Sequence, residues 1–312
     1  MNYKEIIQSS HKKEYCYSNE TGDAILTVYT IFPGIQVVYN SVHTDCFDLS
    51  ISSKEGNFIE IHHCQEGRME QEFGNDFFYL MPGDLSMAKR SQMVQTYRFP
   101  LQHYHGITIA IDVDIAPKCF SVFMEDIKIQ PSVIVNRLCG ERNCVILRSE
   151  SYIEHIFSEI YIMREEQRIG YLKIKILELL FVLNMVEPPI SNLFENTLPR
   201  IQVNLAKQVA TYLTQNMDKR ITVSELAKYF AVSETFLKNV FKGVYGVGIF
   251  SYHRIQKMQC AAQALIKTDR SIAEVANEYG YQNESKFSAA FKGVMGDTPS
   301  VWRKTHSKIN II

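Results

Sequence analysis

The side chains of this chain with a spacing that could hold a metal are histidines: adjacent His62 and His63, and His103 and His105 on either side of one tyrosine. On an extended strand, neighbours point to opposite faces and residues two apart share one. His62 and His63 therefore cannot chelate together, whereas His103 and His105 can. Two residues after His62 stands Cys64, and the stretch Leu85–Arg90 that follows Met81-Pro82-Gly83-Asp84 has no histidine. A pair of imidazoles falls short of the three or four protein ligands of a zinc site. The sequence reads as histidines held by local hydrogen bonds, with no metal and no cofactor. It shows no nucleophile triad, phosphate loop or paired-acid motif, so no catalytic residue is assigned and the chain is not read as an enzyme.

A second chemistry is written twice. The phrase FKGVYG at Phe241–Gly246 returns as FKGVMG at Phe291–Gly296. Each copy closes a longer unit, TVSELAKYFAVSETFLKNVFKGVYG from Thr222 and SIAEVANEYGYQNESKFSAAFKGVMG from Ser271. Both units open with a hydroxyl three residues before a glutamate: Thr222 with Glu225, and Ser271 with Glu274. In that arrangement the hydroxyl takes an unpaired first-turn N–H while the glutamate reaches back to the cap. A short helix should follow, with Leu226, Ala227 and Phe230, or Val275, Ala276 and Tyr279, turned inward. After a turn, a second helix should bury Leu237, Val240 and Phe241, or Phe287, Ala290 and Phe291. The offset between the units is 49 before the turn and 50 after it, so the second turn is one residue longer.

Helix, tight turn, helix is the arrangement that sets its second helix into the major groove of double-stranded DNA. Base edges meet the N-terminal part of that helix. This places Thr235, Lys238 and Asn239 in one groove and Glu284, Ser285, Lys286 and Ser288 in the next. Asn239 suits adenine, and Glu284 can accept from the cytosine amino group. Lys242 and Lys292, on the last turns, suit phosphates. Between the units, IFSYHRIQKMQCAAQALIKT carries Phe250, Ile255, Met258, Ala262 and Leu265 on one stripe. A helix of about eighteen residues is ~27 Å long, enough to hold two reading helices about one DNA turn, roughly 34 Å, apart.

From about Ile201 to Lys304 the chain resembles the DNA-binding domain of the AraC/XylS family of bacterial transcription regulators. The match is densest in SIAEVANEYGYQNESKFSAAFKGVMGDTPSVWRK, Ser271–Lys304. The resemblance implies a regulator, read as an activator, that binds double-stranded DNA and, as an activator, meets RNA polymerase. There are departures. Gly248 and Ile249 stand where the second unit has Thr298 and Pro299, a weaker start signal for the joining helix. Ala289 and Gln256 replace arginines common in the family, which shifts affinity toward the first unit or toward dimerisation.

Many members of that family place a barrel ahead of the DNA reader. Here IHHCQEGRMEQEF followed by FFYLMPGDLSM is similar to the turns of a cupin-type jelly roll. By that resemblance the barrel senses a small-molecule effector, and the helices in 151–186 join two copies as a homodimer. Tyr39, Arg68 and His103, polar groups on expected strands, are the candidate effector-binding residues. Two alternatives stand beside this reading. One is the same regulator controlled by a protein partner or by abundance, without a pocket. The other is a metal-dependent cupin enzyme fused to the DNA reader.

The elements that must position these residues follow from pattern. AILTVYTI, IQVVYNSV, FIEIHH, FFYLMPGDL and HGITIAIDV are short, β-branched and aromatic, and bounded by turn residues. They predict an antiparallel barrel or jelly roll. SYIEHIFSEIYIMREEQ and YLKIKILELLFVLNMV have helical periodicity, and EPPISNLFENT has the composition of a linker. The expected fold class is α+β in two domains. A cupin-like effector-sensing and dimerisation domain with its helical pair spans 1–186, a linker spans 187–197, and an all-α reader with two helix-turn-helix motifs spans 198–312.

Charge supports the division. From Pro199 onward there are 16 Lys+Arg against 8 Asp+Glu, a net of +8, and the first 198 residues hold 17 against 26, a net of −9. A basic unit behind an acidic one points to nucleic acid at one end. The start lacks an apolar h-region and no run of eighteen apolar residues occurs, so no secretory signal and no membrane span are expected. Seven scattered cysteines without a CxxC read as reduced thiols in the cytoplasm. Cys139 and Cys144 are the nearest pair.

Overall fold

A computed structural model describes residues 3–8, 11–73, 76–118, 129–140, 144–148, 150–187 and 197–306, except the side chains of 3–8, 48–55, 73 and 91–95. The chain divides into two compact units, Met1–Thr197 and Leu198–Ile312. Most of the expected linker lies outside the described residues.

The first unit is built on an antiparallel sheet. Its strands are β1 (Tyr3–Gln8), β2 (Lys12–Asn19), β3 (Gly22–Phe32), β4 (Ile35–His43), β5 (Cys46–Gly67), β6 (Met69–Phe73), β7 (Asp76–Leu80), β8 (Leu85–Arg98), β9 (Tyr104–Asp112) and β10 (Cys144–Leu147). They lie in the order β1-β2-β3-β4-β9-β5-β8-β6-β7, with β10 beside β8. The five expected strands are all present within this set. Their path does not close among the described residues, so the sheet is not seen as the closed barrel that the sequence suggests.

Alternation gives the sheet two faces. Val37 on β4, Ile59 and Ile61 on β5 and Ile107, Ile109 and Ile111 on β9 are buried on one of them. Three helices cover that face: α1 (Pro131–Cys139), α2 (Ser151–Ile162) and α3 (Arg168–Met185). Ile134, Ile156, Phe157, Ile160, Leu172, Ile176 and Leu179 belong to the same apolar cluster. The apolar stripes of α2 and α3, the helices that the resemblance implies join two copies, pack largely on the unit's own sheet. Ile162 and Ile174, 81% and 64% exposed, are left outside it. On the other face Leu26, Val28, Val38, Val42, Met69, Tyr97 and Tyr104 form a second cluster.

The second unit is helical: α4 (Arg200–Thr214), α5 (Val223–Tyr229), α6 (Glu234–Tyr245), α7 (Ile249–Lys267), α8 (Ile272–Glu278), α9 (Glu284–Met295) and α10 (Pro299–His306). α7 serves two cores in turn. Near its start, Tyr252 meets Phe241 and Tyr245 of α6, ring centroids 5.3 and 4.5 Å apart. Further on, Met258, Ala262 and Leu265 join Val275, Phe287 and Phe291. One straight stripe cannot describe such a helix. The expected inward residue Phe250 is 59% exposed, and Ile249, Tyr252, His253 and Gln256 are buried instead.

Candidate nucleic-acid interface

Both motifs are built the same way from their caps. Thr222 Oγ1 accepts the Glu225 amide at 3.2 Å, and Glu225 Oε2 accepts the Thr222 amide at 2.8 Å. Ser271 and Glu274 repeat this at 3.2 and 2.7 Å. These contacts satisfy N–H groups that a helix start leaves unpaired. The reading helices have caps of their own. Ser233 Oγ accepts the Phe236 amide at 3.2 Å, and Asn283 Oδ1 accepts the Lys286 amide at 2.9 Å. The turns run over residues 230–233 and 279–283, the second longer by one as the offset requires.

The repeated phrase has a structural meaning residue by residue. Phe241 and Phe291 are fully buried anchors of the two motifs. Lys242 and Lys292 are exposed on the last turns of α6 and α9. Gly246 and Gly296 end those helices at φ +73 and +86, where a side chain would be strained. Their amides donate to the Lys242 and Lys292 carbonyls at 2.8 and 2.9 Å.

The faces left outward carry the expected reading residues. Thr235, Lys238 and Asn239 on α6 are exposed, as are Glu284, Ser285 and Lys286 on α9, while Ser288 is half-buried. One exposed residue was missed by sequence reading. Phe236 is 40% exposed at the third helical position after Ser233, where an aromatic ring suits a thymine methyl group. The cap signal at Ser233 would have located it. The turns differ in strain. The first holds Ala231 at φ +53 and the second Gly280 at φ +79. A Cβ on Gly280 would lie 2.4 Å from the Asp218 carbonyl oxygen.

In the first unit the three candidate effector residues have separate surroundings. Tyr39 packs into the helix-covered cluster, donates to the Ile160 carbonyl at 3.1 Å and lies under the Arg168 guanidinium. Arg68 is buried against the Tyr79 ring at 5.1 Å, and burial lowers its pKa to about 10. His103 stands beside His43, His105 and Glu66. His62 and His63 point to opposite faces as adjacency demands. His62 meets Thr108 Oγ1 at 3.0 Å and Glu60 at 3.4 Å. His63 stacks on Phe157 at 3.9 Å, meets the Tyr161 hydroxyl at 3.0 Å, and is held at a pKa of about 4 by burial.

A buried polar cluster therefore sits in the sheet. Tyr97 donates to Glu60 at 2.9 Å, Arg90 approaches the same carboxylate at 3.4 Å, and Asn40 donates to Thr108 at 3.0 Å. Burial alone would raise the Glu60 pKa, yet His62, Arg90 and Tyr97 hold it below the usual carboxylate value. Cys139 and Cys144 are buried thiols, and burial pushes Cys139 up to about 12.

Two capped helix-turn-helix motifs in one compact unit, each with an outward polar helix, define a DNA-binding protein. A protein-family model described as a helix-turn-helix domain matches residues 226–305. The Transposon Tn10 TetD protein of Escherichia coli is 27% identical over 105 residues, 34% of this chain and 76% of that protein. AarP of Providencia stuartii, an HTH-type transcriptional activator, is 23% identical over 111 residues, 36% of this chain and 82% of that one. A putative AraC-like transcription regulator of Streptomyces lividans is 36% identical over 99 residues, covering 31% and 33% of the two chains. The second unit is an AraC-type helix-turn-helix domain, of the kind these transcription regulators carry.

Proposed function

We propose that the chain activates transcription by setting α6 and α9 into successive major grooves of one promoter site, under the control of a small molecule bound by its first unit. The observation that carries the first part is the matched build of the two motifs, from the capping boxes to the glycine stops. The reading residues are Thr235, Lys238 and Asn239 on α6 and Glu284, Ser285, Lys286 and Ser288 on α9, with Lys242 and Lys292 on phosphates. Activation is supported by AarP, a relative that carries that description. It entails contact with RNA polymerase, and self-association through the first unit would pair two readers on one promoter.

Control by a small molecule is supported by the buried polar cluster around Glu60. Near it in the strand register, Ser86 faces His62 across β5 and β8. The Ser86 hydroxyl and both amide atoms of Gln71, all buried, lack a hydrogen-bond partner among the described residues. Buried polar atoms without partners call for water or a ligand. This cluster is a better candidate for an effector site than Tyr39, Arg68 and His103, which do not converge. A sensing role for the first unit is our reading of its antiparallel strands and the helices packed on them.

The test is selection of binding sites from random duplex DNA by the purified chain and by residues 198–312. Both should enrich one sequence with two conserved blocks. Failure of either protein to enrich any sequence over the input pool would overturn the reading.

A further inference from the structure

The sequence shows two histidines on one strand face, and the fold supplies a third. Antiparallel pairing of β4 with β9 sets Ser41 opposite His105 and Val42 opposite Tyr104. The register thereby brings His43, at the end of β4, beside His103 and His105. The ring centroids are 5.4 Å apart for His43 and His103, 5.3 Å for His43 and His105, and 4.9 Å for His103 and His105. One ring nitrogen from each lies within 4.8 Å of the others. Glu66, opposite His105 in the pairing of β5 with β9, places its carboxylate 3.3 Å from His103 Nε2. Asp23 lies opposite His43 in the pairing of β3 with β4.

We infer that His43, His103 and His105, with Glu66, form a binding site for a divalent transition-metal ion, of which zinc is the first choice. Three imidazoles and one carboxylate are a donor set that zinc takes in tetrahedral geometry. Bonds of about 2.0–2.1 Å to zinc require ligand nitrogens about 3.3 Å apart. His43 and Glu66 are exposed and His103 and His105 half-buried, so side-chain rotation can close the remaining gap without moving a strand. Asp23, across the β3–β4 register from His43, adds a negative charge on that side of the site. The ion would tie β4, β5 and β9 together at one end of the sheet. This inference does not rest on DNA binding.

The test uses the untagged full chain stripped with a chelator. Titration calorimetry with zinc chloride should show roughly one saturable site per chain, and binding should raise the melting temperature, because zinc favours the folded state. H43Q and H105Q should each weaken that site by about tenfold or more, while H155Q, on an exposed histidine of α2, should leave it unchanged. Cobalt(II) on the unaltered chain gives a check that no variant's folding can confuse. It should produce the visible absorption of a four- or five-coordinate site, and excess zinc should abolish it. No saturable zinc binding, equal affinity in H43Q and H105Q, or a cobalt spectrum like that of the aqueous ion would each overturn the inference.

Discussion

Lys238 Nζ lies 3.3 Å from Glu234 Oε2, one turn away on the outward face of α6. Both side chains are about half exposed, 56% and 46%, so the pair is worth only about 0.2–1 kcal/mol. A base edge or a phosphate can displace Glu234 at little cost. Lys238→Ala should weaken binding to the cognate site by about 1–3 kcal/mol and relax preference at one base position. Glu234→Gln removes a negative charge from the groove and should strengthen binding to unrelated DNA. Anisotropy titrations on the selected site and on single-base variants measure both. An unchanged base preference in Lys238→Ala would mean that α6 is not oriented as proposed.

Lys292 differs from Lys238 in kind, because it stands on the last turn of α9 beside the Gly296 stop. Lys292→Ala should weaken all duplexes alike and reduce the slope of log affinity against log salt by about one. A sequence-dependent loss would place Lys292 on a base edge instead.

The caps and turns should set the stability of the reader. Thr222→Ala and Ser271→Ala should each cost about 1 kcal/mol. Gly280→Ala should cost more, since the new Cβ would meet the Asp218 carbonyl at 2.4 Å in a left-handed backbone. Urea denaturation followed by helical circular dichroism gives the order. A Gly280→Ala change milder than either cap change would contradict the tight-turn geometry.

His253 on α7 predicts a pH dependence. Burial lowers its pKa from 6.5 to about 4, Lys257 adds to this, and a hydrogen bond to the Leu213 backbone opposes it. Its folded pKa is depressed, so the stability it contributes is fully present above 6.5 and is lost as pH falls toward about 4. The melting temperature of the helical unit should drop across that window, and His253→Gln should flatten the drop. Glu225 and Glu274 act in the same direction at lower pH. Hydrogen bonds with Thr222 and Ser271 hold both carboxyls below their usual value. An identical slope in His253→Gln would assign the effect to other groups.

The reader was legible because its signals are local. A capping box, a glycine stop and a buried phenylalanine each act within a few residues, and their duplication made the motif plain. Phe250 shows where local reading fails: α7 turns from one core to another, and periodicity along one helix does not record a change of partner. In the first unit β3, β4 and β9 could be read from alternation. β2 (KKEYCYSN) and β8 (LSMAKRSQMVQTYR) are polar enough to hide. The His43 cluster was invisible for a further reason. Strand register between β4 and β9 is a long-range property, and nothing near His43 in sequence points to residues 103 and 105.

The most direct measurement is a hydroxyl-radical footprint of the full chain on its selected site. Two protected blocks should appear on one face of the duplex, about one helical turn of 10–10.5 base pairs between centres. Lys238→Ala should fade one block and Lys286→Ala the other. A single block that fades equally in both variants would contradict the placement of α6 and α9 in successive grooves.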